Sequence, residues 1–246
     1  MSLLLIINAD DLGYDVSVNR GILQAMREGV VTSATFMVNM PSSEEAARDA
    51  RGLALGLHFN LTRVAPVSPL FPEAFLQQGF LSEALASTLP PEVVEREALA
   101  QMERFEGLLG QPPTHVDVHK HLHLNENVLE GLARAAERRR LPVRSINPAM
   151  RAFLERRGIP TNHHFIGDAG TEAYWTLERL AAHVQALPKD GVVELMCHPG
   201  HAPSTVKSGY HEQREVELAT FLSAEALLLL KGVPLGTYRA LHPASR

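Results

Sequence analysis

The chain has very little cysteine: one residue, Cys197, in 246. No internal disulfide can form, and such a chain suits a reducing compartment. It has no excess of basic charge either. The formal net charge is −5, whereas a dedicated nucleic-acid binder is basic. The short basic run Arg138-Arg139-Arg140 reads as the solvated end of a helix. No apolar stretch approaches the roughly 18 residues of a membrane span. The opening Met1-Ser2-Leu3-Leu4-Leu5-Ile6-Ile7 has no basic n-region and soon meets Asn8 and Asp10, so it reads as a strand and not as a signal peptide. Nucleotide signatures are missing too: no Gly-x-Gly-x-x-Gly follows the first strand, and no Gly-x-x-x-x-Gly-Lys occurs. There is no internal repeat and no low-complexity tract. These absences point to a cytoplasmic protein with neither nucleic acid nor membrane among its partners.

What the chain does have is a rhythm. Hydrophobic residues make up 45%, and they fall into alternating strand-like and helix-like runs. Strands are expected at Leu3 to Asn8, Val31 to Val38, Leu53 to His58, His115 to His119, Val143 to Ile146, His163 to Ile166, Val192 to Cys197 and Leu235 to Tyr238. Helices separate most of them, such as Val16 to Glu28 with Gly29 as its stop, and a long one opened by Pro91. Seven or eight such units with no dividing linker imply parallel strands joined by crossover helices. The fold class is α/β, and the length favours a complete or incomplete barrel over an open sheet. One domain is expected to span residues 1–246. A proline-rich insertion at about 63–90 breaks the rhythm and reads as a substrate-facing loop or a surface excursion.

Polar motifs stand at the ends of these apolar runs. Asp10 and Asp11 end the first strand; two carboxylates so close resist joint ionisation unless a cation sits beside them. One can bind a metal while the other takes a proton, although a helix cap is the plainer use, with Asp15 a competitor for it. His58 ends the third strand, with Asn60 just beyond. The cluster His115, Asp117, His119, His121, His123 is the most specific signal. Strand periodicity lets Asp117 and His119 share a face, with His121 and His123 in the loop beyond. Several imidazoles on one segment suit a transition metal, whose binding should weaken below about pH 6.5. His198, before the bend Pro199-Gly200, is placed for a general acid. Glu194 is buried by position and needs a partner; Arg144 could be that partner or a substrate clamp. Cys197 reads as a small packed residue. If the strands are parallel, all four motifs meet at one end.

Together the motifs resemble the YdjC-like carbohydrate deacetylases, which include chitooligosaccharide deacetylases, within the wider NodB-like group. The resemblance lies in Asn8-Ala9-Asp10-Asp11-Leu12-Gly13, Val31-Thr32-Ser33, Val38-Asn39, His58-Phe59-Asn60-Leu61-Thr62, Thr114 to His123, and Glu194-Leu195-Met196-Cys197-His198-Pro199-Gly200. It implies a distorted (β/α) barrel and a metal-dependent hydrolase that removes N-acetyl groups from amino sugars or chitooligosaccharides. It implies Asp11, His58 and His119 as metal ligands, Asp10 as general base and His198 as acid. Asn60, Asp117, His121, His123, Arg144 and Glu194 fall to substrate binding or to supporting the ligands. The family metal is magnesium, while two histidines and a carboxylate suit zinc or another transition metal. The expected partner is a small N-acetylated sugar, and a homodimer is compatible. Two other readings stay open: a related amidohydrolase acting on a non-sugar or lipid-linked amine, and a non-catalytic metal- or sugar-binding protein.

Overall fold

The computed structural model describes residues 2–242. The strands are β1 (Leu4–Leu12), β2 (Ser33–Phe36), β3 (Leu55–Phe59), β4 (Leu76–Gln77), β5 (Phe80–Leu81), β6 (Val116–Val118), β7 (His164–Ile166) and β8 (Val192–Cys197). The helices are α1 (Val16–Glu28), α2 (Ser43–Asp49), α3 (Pro91–Leu109), α4 (Glu126–Arg139), α5 (Pro148–Arg156), α6 (Leu177–Gln185), α7 (Glu212–Leu222) and α8 (Ala224–Leu229). Six strands form one parallel sheet in the order β6-β3-β2-β1-β8-β7, while β4 and β5 pair as an antiparallel hairpin. Among the described residues no helix is long and apolar enough to cross a membrane.

The sheet curls into a distorted, incomplete barrel. Two further segments expected as strands contribute only a single parallel bridge each, Val143 to Val116 and Leu235 to Leu5. Each follows a proline. The carbonyls of Pro142 and Pro234 accept from Val116 and Leu5, but a proline has no N–H with which to extend a ladder. The chain at Tyr238 turns into a 3-10 helix to Leu241 instead of a strand. Across the gap, the Val143 N–H donates to the Pro160 carbonyl. Asn162 continues the link, accepting from the Ser145 N–H at 2.7 Å and donating to its carbonyl at 2.8 Å.

Burial on both faces explains the unbroken apolar run of β1. Leu5 and Ile7 join the main core beneath the helices, while Ile6 packs with Val192 and Tyr238 in a separate cluster. Near its carboxyl end β1 carries an extra residue: Ala9 pairs with Ala34, but Leu12 pairs with Phe36. This is a β-bulge. Asp11 takes a left-handed backbone with φ +74°, which re-aims its side chain and lets adjacent carboxylates reach one end of the barrel. Asp15, not Asp10 or Asp11, caps α1 by accepting from the Ser17 N–H at 2.8 Å.

The insertion at 63–90 is partly anchored. Phe71, Leu81, Ala86 and Leu89 are buried, so it packs on the body and is more than a loose excursion. Its hairpin turns at Gln78 and Gly79, both with positive φ, as tight hairpin turns require.

Candidate active site

Parallel pairing puts the carboxyl ends of β1, β3, β6 and β8 together, and three donor atoms converge there. Asp11 Oδ1 lies 3.3 Å from His58 Nε2 and 3.2 Å from His119 Nδ1, and the two imidazole nitrogens are 3.1 Å apart. Metal–ligand bonds of about 2.1 Å at roughly tetrahedral to right angles place neighbouring donors about 3.0–3.4 Å apart. Asp11 Oδ1 is buried and, beyond its approach to these two imidazoles, has no hydrogen-bond partner, an arrangement a metal would complete. The three residues therefore fit a divalent ion.

The surroundings orient these donors. Asp117 Oδ1 lies 2.7 Å from His58 Nδ1, so the proton sits on that nitrogen and the Nε2 lone pair is free to face the ion, the usual arrangement behind a histidine ligand. The other oxygen of Asp11 accepts from Arg214 Nη2 at 2.6 Å. Arg63 Nε meets His119 Nε2 at 3.4 Å, a contact that belongs to the metal-free tautomer with its proton on Nδ1. In that metal-free form burial opposes charging His58, but Asp117, Asp11 and Asp10 outweigh it and hold the imidazole up to about 10.

This moves the pH window for metal binding upward from that of an ordinary histidine. The proton and the metal compete for His58 Nε2, so affinity should rise as pH rises toward about 10. We expect close to one proton released per metal, and affinity growing about tenfold per pH unit between about pH 6 and 9. Titration calorimetry in buffers of different ionisation enthalpy measures both. A flat affinity without proton release would show that His58 is neutral before binding.

Behind the three donors lies a buried ionic cluster centred on Arg144. Its guanidinium reaches Asp10 at 2.6 and 2.7 Å, Asp117 at 2.7 Å and Glu194 at 2.5 and 2.9 Å. Tyr238 donates its hydroxyl to Glu194, and Thr35 donates to Asp117 at 2.9 Å. Arg144 is thus the partner Glu194 needs. It is fully buried and forms no part of the cavity wall. Burial pushes Glu194 and Asp117 upward. Burial presses Asp10 the same way, yet Arg144 prevails and holds that carboxyl well below the usual range.

A cavity of 540 Å³ opens over this cluster, with Asp10, Asp11, His58, His119, His121 and His198 in its walls. Tyr14, Arg63, Tyr210, Arg214 and the segment Asp168 to Gly170 also line it. His198 is half-buried; its Nδ1 is buried without a partner, and its ring lies beside Tyr210. Burial lowers its pKa, with Asp11 and Asp10 opposing. His121 reaches the cavity through a left-handed pair, Lys120 and His121 at φ +56° and +51°, and burial holds it down to about 4.

Other expected residues stand elsewhere. Asn60 is buried among Asn39, Met40 and the Thr62 and Arg63 amides, shaping the loop after β3 and not the cavity wall. His123 is buried with both ring nitrogens unpartnered and does not line the cavity. Cys197 is packed, its Sγ 3.3 Å from the Asn8 carbonyl, and burial pushes its thiol well up. Arg214 and Glu217 were not anticipated. Glu217 accepts from the His198 N–H at 2.6 Å and the Tyr210 hydroxyl at 2.6 Å. Their signal was available: Arg214, Glu217, Leu218 and Phe221 form the buried stripe of α7, and charges at apolar-stripe positions need partners.

A curled parallel sheet with an Asp-His-His cluster, an arginine-clamped carboxylate and a free imidazole at its carboxyl end defines an incomplete barrel with a site able to hold a metal ion. The family model of the YdjC-like proteins matches residues 4–232, and the chain belongs to that family. It is 38% identical over 247 residues to a carbohydrate deacetylase of Geobacillus stearothermophilus, covering 96% of this chain and 97% of the relative. It is 33% identical to a chitooligosaccharide deacetylase of Proteus mirabilis, covering 98% and 100%. Among solved structures, an Enterococcus faecalis V583 protein whose description links it to cellobiose-phosphate cleavage superposes with a TM-score of 0.85 at 27% identity, covering 99% of this chain and 100% of that one.

Proposed function

We propose that the protein is a metal-dependent hydrolase that removes N-acetyl groups from amino sugars or chitooligosaccharides. The observation that carries this reading is the convergence of Asp11, His58 and His119 on one point, in a cavity whose walls also hold Asp10 and His198. The names of the relatives at 33–38% identity support the substrate class. Two nitrogens and one oxygen suit zinc or another transition metal better than magnesium, which prefers oxygen ligands. A reducing, cytoplasmic setting agrees with the single buried Cys197.

The residues divide the work. Asp11, His58 and His119 hold the ion, with Asp117 and Arg214 fixing two of them from behind. When bound, the metal supplies Lewis acidity: it acidifies a water and polarises the acetyl carbonyl, which is what lets so weak a base as Asp10 act. Arg144 keeps Asp10 ionised and immobile, ready to accept a proton from the attacking water. The amide C–N bond breaks, acetate forms, and the departing sugar nitrogen takes a proton from His198. Burial disfavours the charged form of His198, so the proton it hands on is the one Asp10 has taken from the water, and Asp10 is thereby returned to its ionised state.

Acetate release from N-acetylglucosamine and its oligomers by the metal-loaded protein tests this directly. Metal-dependent release is expected. Release only from acetylated non-sugar amines would favour the broader amidohydrolase reading, and tight metal binding without release from any amide would favour a non-catalytic protein.

A further inference from the structure

Glu217 stands behind the cavity and not in it. It is fully buried on α7 and forms no part of the cavity wall. A carboxylate taken so completely out of water is costly unless donors converge on it. Three do: the His198 N–H at 2.6 Å, the Tyr210 hydroxyl at 2.6 Å and the Trp175 N–H at 3.4 Å. Two of these donors belong to residues that line the cavity, His198 and Tyr210.

His198 needs such support. Asp10 is held at its carboxylate by Arg144, and His58 at its ring by Asp117. The His198 ring has no comparable hold at Nδ1, which is buried without a partner. Its main chain and its neighbour fix it instead. β8 ends at Cys197, and around that end the backbone is pinned at alternate residues. The Met196 carbonyl accepts from Trp175 Nε1 at 2.7 Å, the His198 N–H donates to Glu217, and the Gly200 N–H donates to the Arg214 carbonyl at 3.1 Å. The Tyr210 ring packs on the imidazole, with centroids 5.4 Å apart and planes inclined at 62°, and Tyr210 is itself tied to Glu217 through its hydroxyl. One carboxylate therefore fixes both the main chain that carries the imidazole and the ring that packs against it. Arg214, three residues earlier on the buried face of α7, holds Asp11 in the same way.

We infer that Glu217 is a positioning residue for the reaction: by gripping the His198 main chain and the Tyr210 hydroxyl together, it sets the place of the His198 imidazole at the cavity wall. The inference rests on the reading of His198 as the acid of a deacetylase, and adds the device that holds that acid in place.

A double-mutant cycle of Glu217→Ala and His198→Ala provides the test, read as acetate release from N-acetylglucosamine oligomers by the metal-loaded protein. Glu217→Ala is expected to lower kcat by about tenfold or more, since a misplacement of about 1 Å can cost about 100-fold, with KM and metal content little changed. In the His198→Ala background the same change should cost nothing further, because no imidazole is left to position. A general loss of fold would cost as much there as in the unmodified protein. Glu217→Gln keeps an oxygen for the His198 N–H and offers its amide to the Tyr210 hydroxyl oxygen, so it should recover most of the rate. Tyr210→Phe breaks one of the two grips without emptying a space. It should lower kcat several-fold, again only where His198 is present, and it carries the test if Glu217→Ala does not fold. Losses that add in the cycle, that appear in KM or metal content, or that are absent, would overturn the positioning role and leave the acid reading intact. Undiminished acetate release by His198→Ala would instead remove the acid reading, and the inference with it.

Discussion

His58→Ala is expected to strip the protein of its metal and its activity together. Of the three proposed ligands His58 is the most firmly prepared by its surroundings, with Nδ1 fixed by Asp117 at 2.7 Å and Nε2 turned toward Asp11 and His119. Loss of an outer partner alone costs roughly 10–100-fold in metal affinity, so Asp117→Asn should fall in that range and loss of the ligand itself should exceed it. His119→Ala should behave like His58→Ala. The sequence leaves His121 and His123 as rivals for the third position; His123 is off the cavity wall and His121 is not part of the three-atom cluster. Metal content by elemental analysis, beside acetate release, checks the set. Full occupancy in the His119→Ala protein would reassign the ligand.

Asp10→Asn should separate the base from the metal. The substitution keeps the shape and removes the basicity. Arg144 retains Asp117 and Glu194 as partners, so the buried cluster stays charge-paired and the fold should hold. Metal occupancy should remain near that of the unmodified protein, while turnover should fall by roughly 100-fold or more. Loss of metal would make Asp10 a ligand. Retention of both metal and rate would mean that the base lies elsewhere. Asp117 is a poor substitute, since one of its oxygens is engaged by His58 and the other by Arg144 and Thr35, and it does not line the cavity.

Much of this site was legible because strand ends are easy to read. Apolar runs closing on Asp10, His58, His119 and His198 place those side chains at one end of any parallel sheet, whatever the details of closure. The bulge that turns both Asp10 and Asp11 inward was not legible, because a register shift depends on pairing with β2 and leaves no local mark in Ala9-Asp10-Asp11-Leu12. The incomplete barrel was expected, but which segments fall short of a full ladder was not legible, for a similar reason. Val143 and Leu235 look like strand residues, but Pro142 and Pro234 limit each to a single bridge. Arg144 was read as a partner for Glu194, yet its hold on Asp10 and Asp117 joins residues 134 and 27 positions away in the chain, which no local pattern encodes. Arg214 could have been found from its place on the buried stripe of α7, though its attachment to Asp11 could not.

The most direct test of the account is a metal titration of the chelator-treated protein at a fixed pH near neutrality, with zinc added back in steps and acetate release from an N-acetylated disaccharide measured at each step. On the proposal that Asp11, His58 and His119 hold one ion, activity should rise linearly from near zero and break sharply at one metal per chain. Activity that persists without metal, or a metal bound at one per chain with no acetate released at any step, would contradict it.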